Sequence, residues 1–172
     1  MSVSILVTGG ARSGKSKFAE EQVKRFGQPA IYIATAEPFD EEMIDRIALH
    51  QARRGPEWKT ITAPLNLPQA LYDTDGKGPC LVDCLTVWLS NLMHAEQVTS
   101  TALNRLVMAL SSRSDPIVLV TSEVGSGIVP ENALARRFRD ESGRMNQILA
   151  KAVDEVYVSI SGIPVQIKSQ PN

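Results

Sequence analysis

The stretch that decides the fold is Ile5-Leu6-Val7-Thr8-Gly9-Gly10-Ala11-Arg12-Ser13-Gly14-Lys15-Ser16. Its last eight residues, from Gly9 to Ser16, match G-x-x-x-x-G-K-[S/T], the pattern of phosphate-binding loops, and lie between an apolar run and an amphipathic helical pattern. Glycines let successive backbone N–H groups face a phosphate, and the following helix adds its positive N-terminal end. A plain strand-to-helix turn would require neither Lys15 nor Ser16. We therefore predict a nucleoside triphosphate site, with Lys15 on the outer phosphates and Ser16 on Mg²⁺.

Length and composition favour one soluble nucleotide-binding domain over residues 1–172. The net charge of −1 gives no electrostatic attraction toward nucleic acid or acidic membranes. No apolar run approaches the roughly 20 residues of a membrane helix, and the first residues lack the pattern of a signal peptide. We expect a cytoplasmic protein that neither binds nucleic acid nor inserts into a membrane.

The chain contains two cysteines, Cys80 and Cys84. If both lie on one extended strand, their Cα atoms are about 13 Å apart, which exceeds the roughly 7 Å limit for a disulfide. We expect reduced thiols in the core.

Apolar runs typical of buried parallel strands recur along the chain, with helical patterns between them. The strands are expected at residues 4–8, 30–35, 80–83 and 117–122, and the helices at 15–26, 40–54, 67–72, 85–94, 101–111 and 132–154. Two alternating segments, 155–161 and 165–168, flank Gly162-Ile163-Pro164 and predict a closing hairpin. The predicted fold class is therefore α/β and P-loop NTPase-like, with a mainly parallel sheet flanked by helices and a C-terminal β-hairpin.

Asp83 ends the apolar run 80–83. In phosphate-loop enzymes a carboxylate at the end of a neighbouring strand helps to hold the metal, so we predict Asp83 as a second Mg²⁺ ligand. A strand-end Asp also commonly caps a following helix, here the one that begins near Thr86. The two roles are compatible.

The predicted helix 40–54 presents one imidazole among cations. His50 has Arg46 one turn before it and Arg53 and Arg54 one turn after it. Guanidinium groups match phosphate oxygens, and the flanking cations should lower the pKa of the imidazole and keep it neutral and nucleophilic. The alternative is that His50 is a solvated residue on an arginine-rich surface.

Several stretches together resemble one family, the bifunctional adenosylcobinamide kinase / adenosylcobinamide-phosphate guanylyltransferases of cobalamin biosynthesis. They cover nearly the whole chain: residues 5–16, Tyr32-Ile33-Ala34-Thr35-Ala36, Arg46-Ile47-Ala48-Leu49-His50, Glu57-Trp58, 118–132 and 138–147. The phosphate loop is shared with many enzymes. Its combination with Glu123-Val124-Gly125-Ser126-Gly127-Ile128-Val129-Pro130-Glu131-Asn132 is what makes the likeness specific.

The resemblance implies two reactions: phosphorylation of adenosylcobinamide, with ATP or GTP as donor, and transfer of GMP from GTP to the product, which gives adenosylcobinamide-GDP. His50 would be the guanylylated nucleophile and would act with Lys15. The resemblance also implies a homotrimer with active sites at subunit interfaces. The residues implied to contact the nucleotide or its Mg²⁺ are Gly9, Gly10, Ala11, Arg12, Ser13, Gly14, Lys15, Ser16, Ala34, Thr35, Ala36, Gln51, Ala52, Arg53, Arg54 and Asp83.

One position departs from the family. Members usually carry a Glu a few residues after the Trp that matches Trp58, whereas this chain has Thr62. Thr62 can still form a hydrogen bond to the nucleotide, so the change bears on guanine selectivity.

Two other functions remain open. One is a single-activity phosphate-loop kinase for a small metabolite, in which His50 is only a surface residue. The other is a GTP-dependent switch, which the chain disfavours because it has no guanine-reading Asn-Lys-x-Asp segment.

Overall fold

The computed structural model describes residues 2–36 and 55–169. In chain order they form β1 (Ser4–Gly9), α1 (Lys15–Phe26), β2 (Ala30–Ala34), β3 (Trp58–Thr62), α2 (Leu67–Thr74), β4 (Cys80–Asp83), α3 (Leu85–His94), α4 (Thr99–Ser112), β5 (Ile117–Val120), α5 (Ala133–Ala152), β6 (Glu155–Ile160) and β7 (Ile163–Lys168). The predicted strands and helices in these residues are confirmed, with ends that differ by at most two residues. The predicted helix 40–54 lies outside the described residues.

The strands form one sheet in the order β3-β2-β4-β5-β1-β6-β7. All neighbours from β3 to β6 pair in parallel, and β7 alone is antiparallel, as the second strand of the hairpin with β6. The predicted fold class, a mainly parallel sheet with flanking helices and a C-terminal hairpin, is confirmed. Because six strands run the same way, their carboxyl ends meet at one edge of the sheet.

Alternate side chains of each strand pack on opposite faces of the sheet. On one face Ile5 and Val7 pack with Ala19 and Val23 of α1. On the other face, Leu6 belongs to the larger cluster, which also takes in side chains from α2, α3, α4 and α5. Residues buried on both faces explain the nearly continuous apolar runs, which are typical of parallel strands.

Helix α1 begins directly after the phosphate loop. Gly14 is its N-cap in the left-handed conformation (φ 89°). Lys24 and Arg25 in its last turn stabilise the helix, because their positive charges lie at the negative end of the helix dipole. The helix ends at Gly27 (φ 121°), a conformation that glycine adopts readily. The loop is therefore held between a buried strand and a helix packed on the sheet.

The sequence analysis missed strand β3. Among the strands that the structure describes, β3 lies at the edge of the sheet and pairs only with β2. Of its residues, Trp58 is buried, whereas Lys59, Thr60 and Thr62 are exposed, so no apolar run marks it. The aromatic and β-branched residues of Trp58-Lys59-Thr60-Ile61-Thr62 were the available signal.

Candidate nucleotide-binding site

The phosphate loop places a set of backbone donors at the start of α1. The N–H groups of Gly14, Lys15 and Ser16 have no hydrogen-bond acceptor within residues 2–36 and 55–169. The first N–H groups of any helix lack intrahelical partners and carry partial positive charge. This end of α1 is therefore suited to bind an anion such as a phosphate.

Two glycines of the loop are required by close contacts. A Cβ on Gly9 would lie 2.5 Å from the carbonyl oxygen of Ser159, and one on Gly14 would lie 3.2 Å from Cα of Gly162. Gly14 also has a positive φ of 89°, which is unfavourable for residues with a side chain. The strand β6 and its turn thus approach the loop so closely that only glycine fits.

The loop is fastened on two sides by residues distant in the chain. On the β5 side, the N–H of Glu123 donates to the carbonyl oxygen of Gly9 at 3.0 Å. On the hairpin side, Ser159 Oγ and the N–H of Gly162 donate to the carbonyl oxygen of Ser13 at 2.5 and 3.0 Å. The sequence analysis did not identify Ser159 or Gly162 as part of the site, and no local sequence signal marks them.

Lys15 already lies over the loop. Its Nζ donates to the carbonyl oxygen of Gly10 at 3.1 Å, so the ammonium group is near the turn where the outer phosphates are predicted. Ala11 and Arg12 at the top of the loop are exposed, and Arg12 has a positive φ of 54°. The loop is therefore open to solvent on the side away from the sheet.

The ends of four strands carry predicted site residues, and the sheet register aligns them. Ala34 pairs with Thr62 on one side and with Asp83 on the other, and Asp83 pairs with Val120. Val120 in turn pairs with Val7 of β1. The predicted site residues at the ends of β2, β3 and β4, which are Ala34, Thr62 and Asp83, therefore share the edge of the sheet from which the phosphate loop extends.

The strand order corrects one expectation about Asp83. The prediction placed it on a strand neighbouring the phosphate-loop strand, but β5 lies between β4 and β1. Asp83 is thus two strands from β1, about 10 Å at the usual strand spacing. The end of β5 lies between Asp83 and the loop.

Thr62 is farther away. Three strands, β2, β4 and β5, lie between β3 and β1, which corresponds to about 19 Å. A nucleotide with its phosphates on the loop would need to extend along the whole edge to reach Thr62. The nucleotide contact of Thr62 stays a prediction.

Thr35 links the end of β2 to the residue that follows Asp83. Its side chain is fully buried. The hydroxyl donates to the carbonyl oxygen of Cys84 at 2.7 Å and accepts from the N–H of Cys84 at 2.9 Å, and Asn91 Nδ2 donates to the carbonyl oxygen of Thr35 at 2.8 Å. Thr35 therefore holds the segment that follows Asp83, while the half-buried Ala34 and Ala36 flank it.

The charges of Asp83 and Lys15 both act on the Cys84 thiol. Burial raises the pKa of Cys84, and the Asp83 carboxylate raises it further, to about 11, although the Lys15 ammonium acts in the opposite direction. Asp83 and Lys15 are thus close enough to the same half-buried thiol to influence its ionisation. They place opposite charges at one edge of the sheet.

The cysteines give a testable property of this region. Burial raises the pKa of Cys80 to about 12, and Cys84 titrates at about 11. At pH 8 only about one thiol in a thousand or fewer is then a thiolate, the reactive form. We expect iodoacetamide to label both at least about 100 times more slowly in the native protein than in urea, as measured by mass spectrometry. Labelling of Cys84 in the native protein at the rate seen in urea would contradict the raised pKa of its thiol.

Residues after β5 form the wall of the site next to Asp83. The hydroxyl of Thr121 donates to Asn146 Oδ1 at 2.8 Å, and the N–H of Ser122 donates to Thr86 Oγ1 at 2.7 Å. Arg139 of α5 donates to the carbonyl oxygen of Gly125 at 2.5 Å. These bonds fix the path of the chain between β5 and α5 beside the phosphate loop.

The predicted nucleophile and the four nucleotide contacts that follow it in the chain lie outside the described residues. They are His50, Gln51, Ala52, Arg53 and Arg54. Their roles stay predictions. None of the helices within 2–36 and 55–169 has the length and apolarity needed to cross a bilayer.

Comparisons with known proteins give a consistent result. Residues 5–167 match the model of a family described as cobinamide kinase / cobinamide phosphate guanyltransferase. A Pseudomonas aeruginosa protein named bifunctional adenosylcobalamin biosynthesis protein CobP is 41% identical, over 96% of this chain and 98% of that protein. Its Salmonella typhimurium counterpart, CobU, is 43% identical, over 95% and 99%.

A solved structure supports the fold. A KaiC-like protein of Pyrococcus horikoshii superposes with a TM-score of 0.54 and 14% identity, over 91% of this chain and 71% of that one. At this identity the likeness concerns the fold alone. Because the family model and both relatives extend over nearly the whole sequence, this chain belongs to the cobinamide kinase / cobinamide phosphate guanyltransferase family.

Proposed function

We propose that the protein is a bifunctional enzyme of cobalamin biosynthesis. It phosphorylates the hydroxyl of adenosylcobinamide, with ATP or GTP as donor, and then transfers GMP from GTP to the new phosphate to give adenosylcobinamide-GDP. Membership of the family supports the two activities. The observation that carries the chemistry is the phosphate loop, with its open N–H groups and Lys15 above the turn.

In both reactions the loop offsets negative charge. As a phosphoryl or nucleotidyl group transfers, charge grows on the oxygens of the leaving polyphosphate. The N–H groups of Gly14, Lys15 and Ser16 and the Lys15 ammonium are fixed donors for these oxygens. Donors that need no reorganisation stabilise a transition state more than water does.

One residue of the first turn of α1 and one at the end of β4 have the chemistry to hold a Mg²⁺ ion. Ser16 and Asp83 offer hydroxyl and carboxylate oxygens, the ligand type that Mg²⁺ prefers. No group of three or more His, Cys, Asp or Glu side chains within 2–36 and 55–169 could hold a metal. A resident ion would therefore take its other ligands from water and the nucleotide, as is usual for Mg²⁺. When bound, it would neutralise charge on the phosphate oxygens.

His50 is proposed as the nucleophile of the guanylyl transfer. A neutral ring nitrogen attacks the α-phosphorus of GTP, the N–P bond forms, and the bond from the α-phosphorus to the bridging oxygen breaks as pyrophosphate leaves. A phosphate oxygen of the corrinoid then attacks the same phosphorus, the N–P bond breaks, and the electron pair returns to the imidazole. The nucleophile of the kinase step is instead the corrinoid hydroxyl, which attacks the γ-phosphorus and releases its proton to solvent. The bond from the γ-phosphorus to the β,γ-bridging oxygen breaks, and the nucleoside diphosphate leaves.

The remaining contacts and the assembly belong to the same proposal. We include Gln51, Ala52, Arg53 and Arg54 as nucleotide contacts beside His50, Thr62 as a contact to base or ribose, a homotrimeric assembly and a cytoplasmic location. The nucleotide is attacked at the γ-phosphorus in the kinase step and at the α-phosphorus in guanylyl transfer. The nucleotide therefore binds in two poses, or a lid moves between the two steps.

Labelled GTP tests the proposal on the unmodified protein. The protein and Mg²⁺ are incubated with GTP labelled at either the α- or the γ-phosphate, and the denatured protein is assayed for acid-labile, alkali-stable label. We expect α-label on the protein, its discharge when adenosylcobinamide phosphate is added, and γ-label on the corrinoid when adenosylcobinamide is added instead.

Each part of the proposal can fail separately. Transfer of γ-label without any α-label on protein or corrinoid would leave a single-activity kinase. Hydrolysis of GTP that neither corrinoid changes would favour a switch. Both activities without a protein adduct would exclude the covalent intermediate only.

A further inference from the structure

The turn of the C-terminal hairpin meets the phosphate loop at one carbonyl group. The oxygen of Ser13 accepts hydrogen bonds from Ser159 Oγ at 2.5 Å and from the N–H of Gly162 at 3.0 Å. Ser159 is 2% exposed and Ser13 is 7% exposed, so water competes little for the bond between them. Two donors on one carbonyl fix the direction of that C=O bond.

This direction also determines where the next N–H group points. The peptide group is planar and trans, so the C=O of Ser13 and the N–H of Gly14 point in opposite directions. With the Ser13 oxygen held against the hairpin, the Gly14 N–H points away from it. That N–H has no acceptor in the described part of the chain, and it is adjacent to the open N–H groups at the start of α1.

A restraint is needed here because of Gly14 itself. Glycine populates positive and negative φ about equally, so a loop ending in Gly14 could rotate this peptide and bring an oxygen, not an N–H, toward the anion. A carbonyl oxygen turned toward a polyphosphate would repel it. The close approach of Gly162 Cα, 3.2 Å from a Cβ built on Gly14, disfavours a bulkier residue at this position, so the restraint must come from the bonds to the Ser13 oxygen.

We propose that Ser159 and Gly162 are positioning residues for polyphosphate binding, which they favour by holding the Ser13–Gly14 peptide with its N–H directed at the phosphate. The inference rests on the nucleotide site proposed above. It adds that the last two strands of the sheet set the geometry of a loop at the beginning of the chain.

The first test uses Ser159→Ala with Mg²⁺ and inorganic tripolyphosphate as the probe, followed by titration calorimetry. Loss of one buried hydrogen bond is expected to weaken binding about three- to tenfold. Ser159→Thr, which keeps the hydroxyl, is expected to restore binding to within about twofold. The matched control is Ser112→Ala, since Ser112 Oγ also donates to a backbone oxygen, that of Ala109 at 3.1 Å, and binding should not change.

A second pair of variants tests the turn without touching Ser159. Gly162→Ala and Gly76→Ala each place a methyl group in open space at a positive φ, 84° and 76° respectively. Their backbone strain is therefore comparable, and thermal unfolding should show a similar shift. Only Gly162→Ala is expected to weaken tripolyphosphate binding, because only there does the strained residue supply an N–H to the loop.

The outcomes separate this inference from the proposed function. Wild-type affinity in both Ser159→Ala and Gly162→Ala would overturn the positioning role and leave the enzyme activities untouched. Weakening by Ser112→Ala or Gly76→Ala equal to that of their partners would also overturn it. Tripolyphosphate binding that is weakened in Ser159→Ala and Gly162→Ala but not in the two controls would support the positioning role. If the wild-type protein also transferred no label from GTP, the proposed function would be refuted. A wild-type protein that binds no tripolyphosphate would overturn the positioning role, whereas the proposed function is decided by the transfer of label from GTP.

Discussion

His50→Ala is expected to abolish the covalent label from α-labelled GTP and to lower guanylyl transfer to adenosylcobinamide phosphate by at least about 1,000-fold. The reason is that alanine offers no lone pair for the attack on the α-phosphorus, so the two-step path is closed. Phosphorylation of adenosylcobinamide should stay within about threefold of wild type, because the γ-phosphoryl transfer needs no covalent intermediate. Initial rates of the two half-reactions, measured separately with α- and γ-labelled GTP, check both expectations.

The chain provides a matched control for this result. It has two histidines, and the second, His94, is exposed at the end of α3 with Nδ1 2.8 Å from the carbonyl oxygen of Ser90. His94→Ala should keep the adduct and both rates. An adduct that persists in His50→Ala and disappears in His94→Ala would move the nucleophile to α3.

Lys15→Ala has the second largest expected effect, a fall of about 100- to 1,000-fold in both activities. Its ammonium group lies over the loop, 3.1 Å from the oxygen of Gly10, where it can neutralise charge on the outer phosphates in either reaction. The effect should appear mainly in kcat, since the charge to be stabilised grows in the transition state. Steady-state rates with saturating GTP measure it.

Lys17→Ala is the control for this change. Lys17 lies in the first turn of the same helix and is exposed, so it carries an equal charge near the same helix end. Its replacement should change either rate by less than about threefold. Equal losses from both variants would assign the effect to the overall positive field of the helix end and not to contact by Lys15.

The sequence was sufficient for the elements whose signal is local. The phosphate loop predicts β1 and α1 directly, and the apolar runs predict β2, β4 and β5, because strands buried on both faces consist of consecutive apolar residues. The edge strand β3 has no such run, since Lys59, Thr60 and Thr62 face solvent. Its pairing depends on β2 and is decided by tertiary contacts that local propensity does not encode.

The parts of the site that depend on strand order could not be predicted. The sequence shows that Asp83 ends an apolar run typical of a buried strand. It does not show that β5 lies between this strand and β1, because the strand order is a property of the assembled sheet. The same holds for the contact between Ser13 and Ser159, which are 146 residues apart. Serine is common and carries no pattern, so only the folded chain reveals its partner.

The position of β1 in the sheet has a consequence for biosynthesis. Strand β1 is synthesised before its two neighbours in the sheet, β5 and β6, and its loop is supported by Glu123, Ser159 and Gly162. A nascent chain thus exposes the nucleotide-binding motif long before it has the nucleotide-binding site. Until residues 155–162 emerge, the nucleoside triphosphate that we propose as the ligand has no organised loop to bind. Once they have emerged, that ligand would stabilise the folded state only, so it would bind selectively to chains that have finished folding.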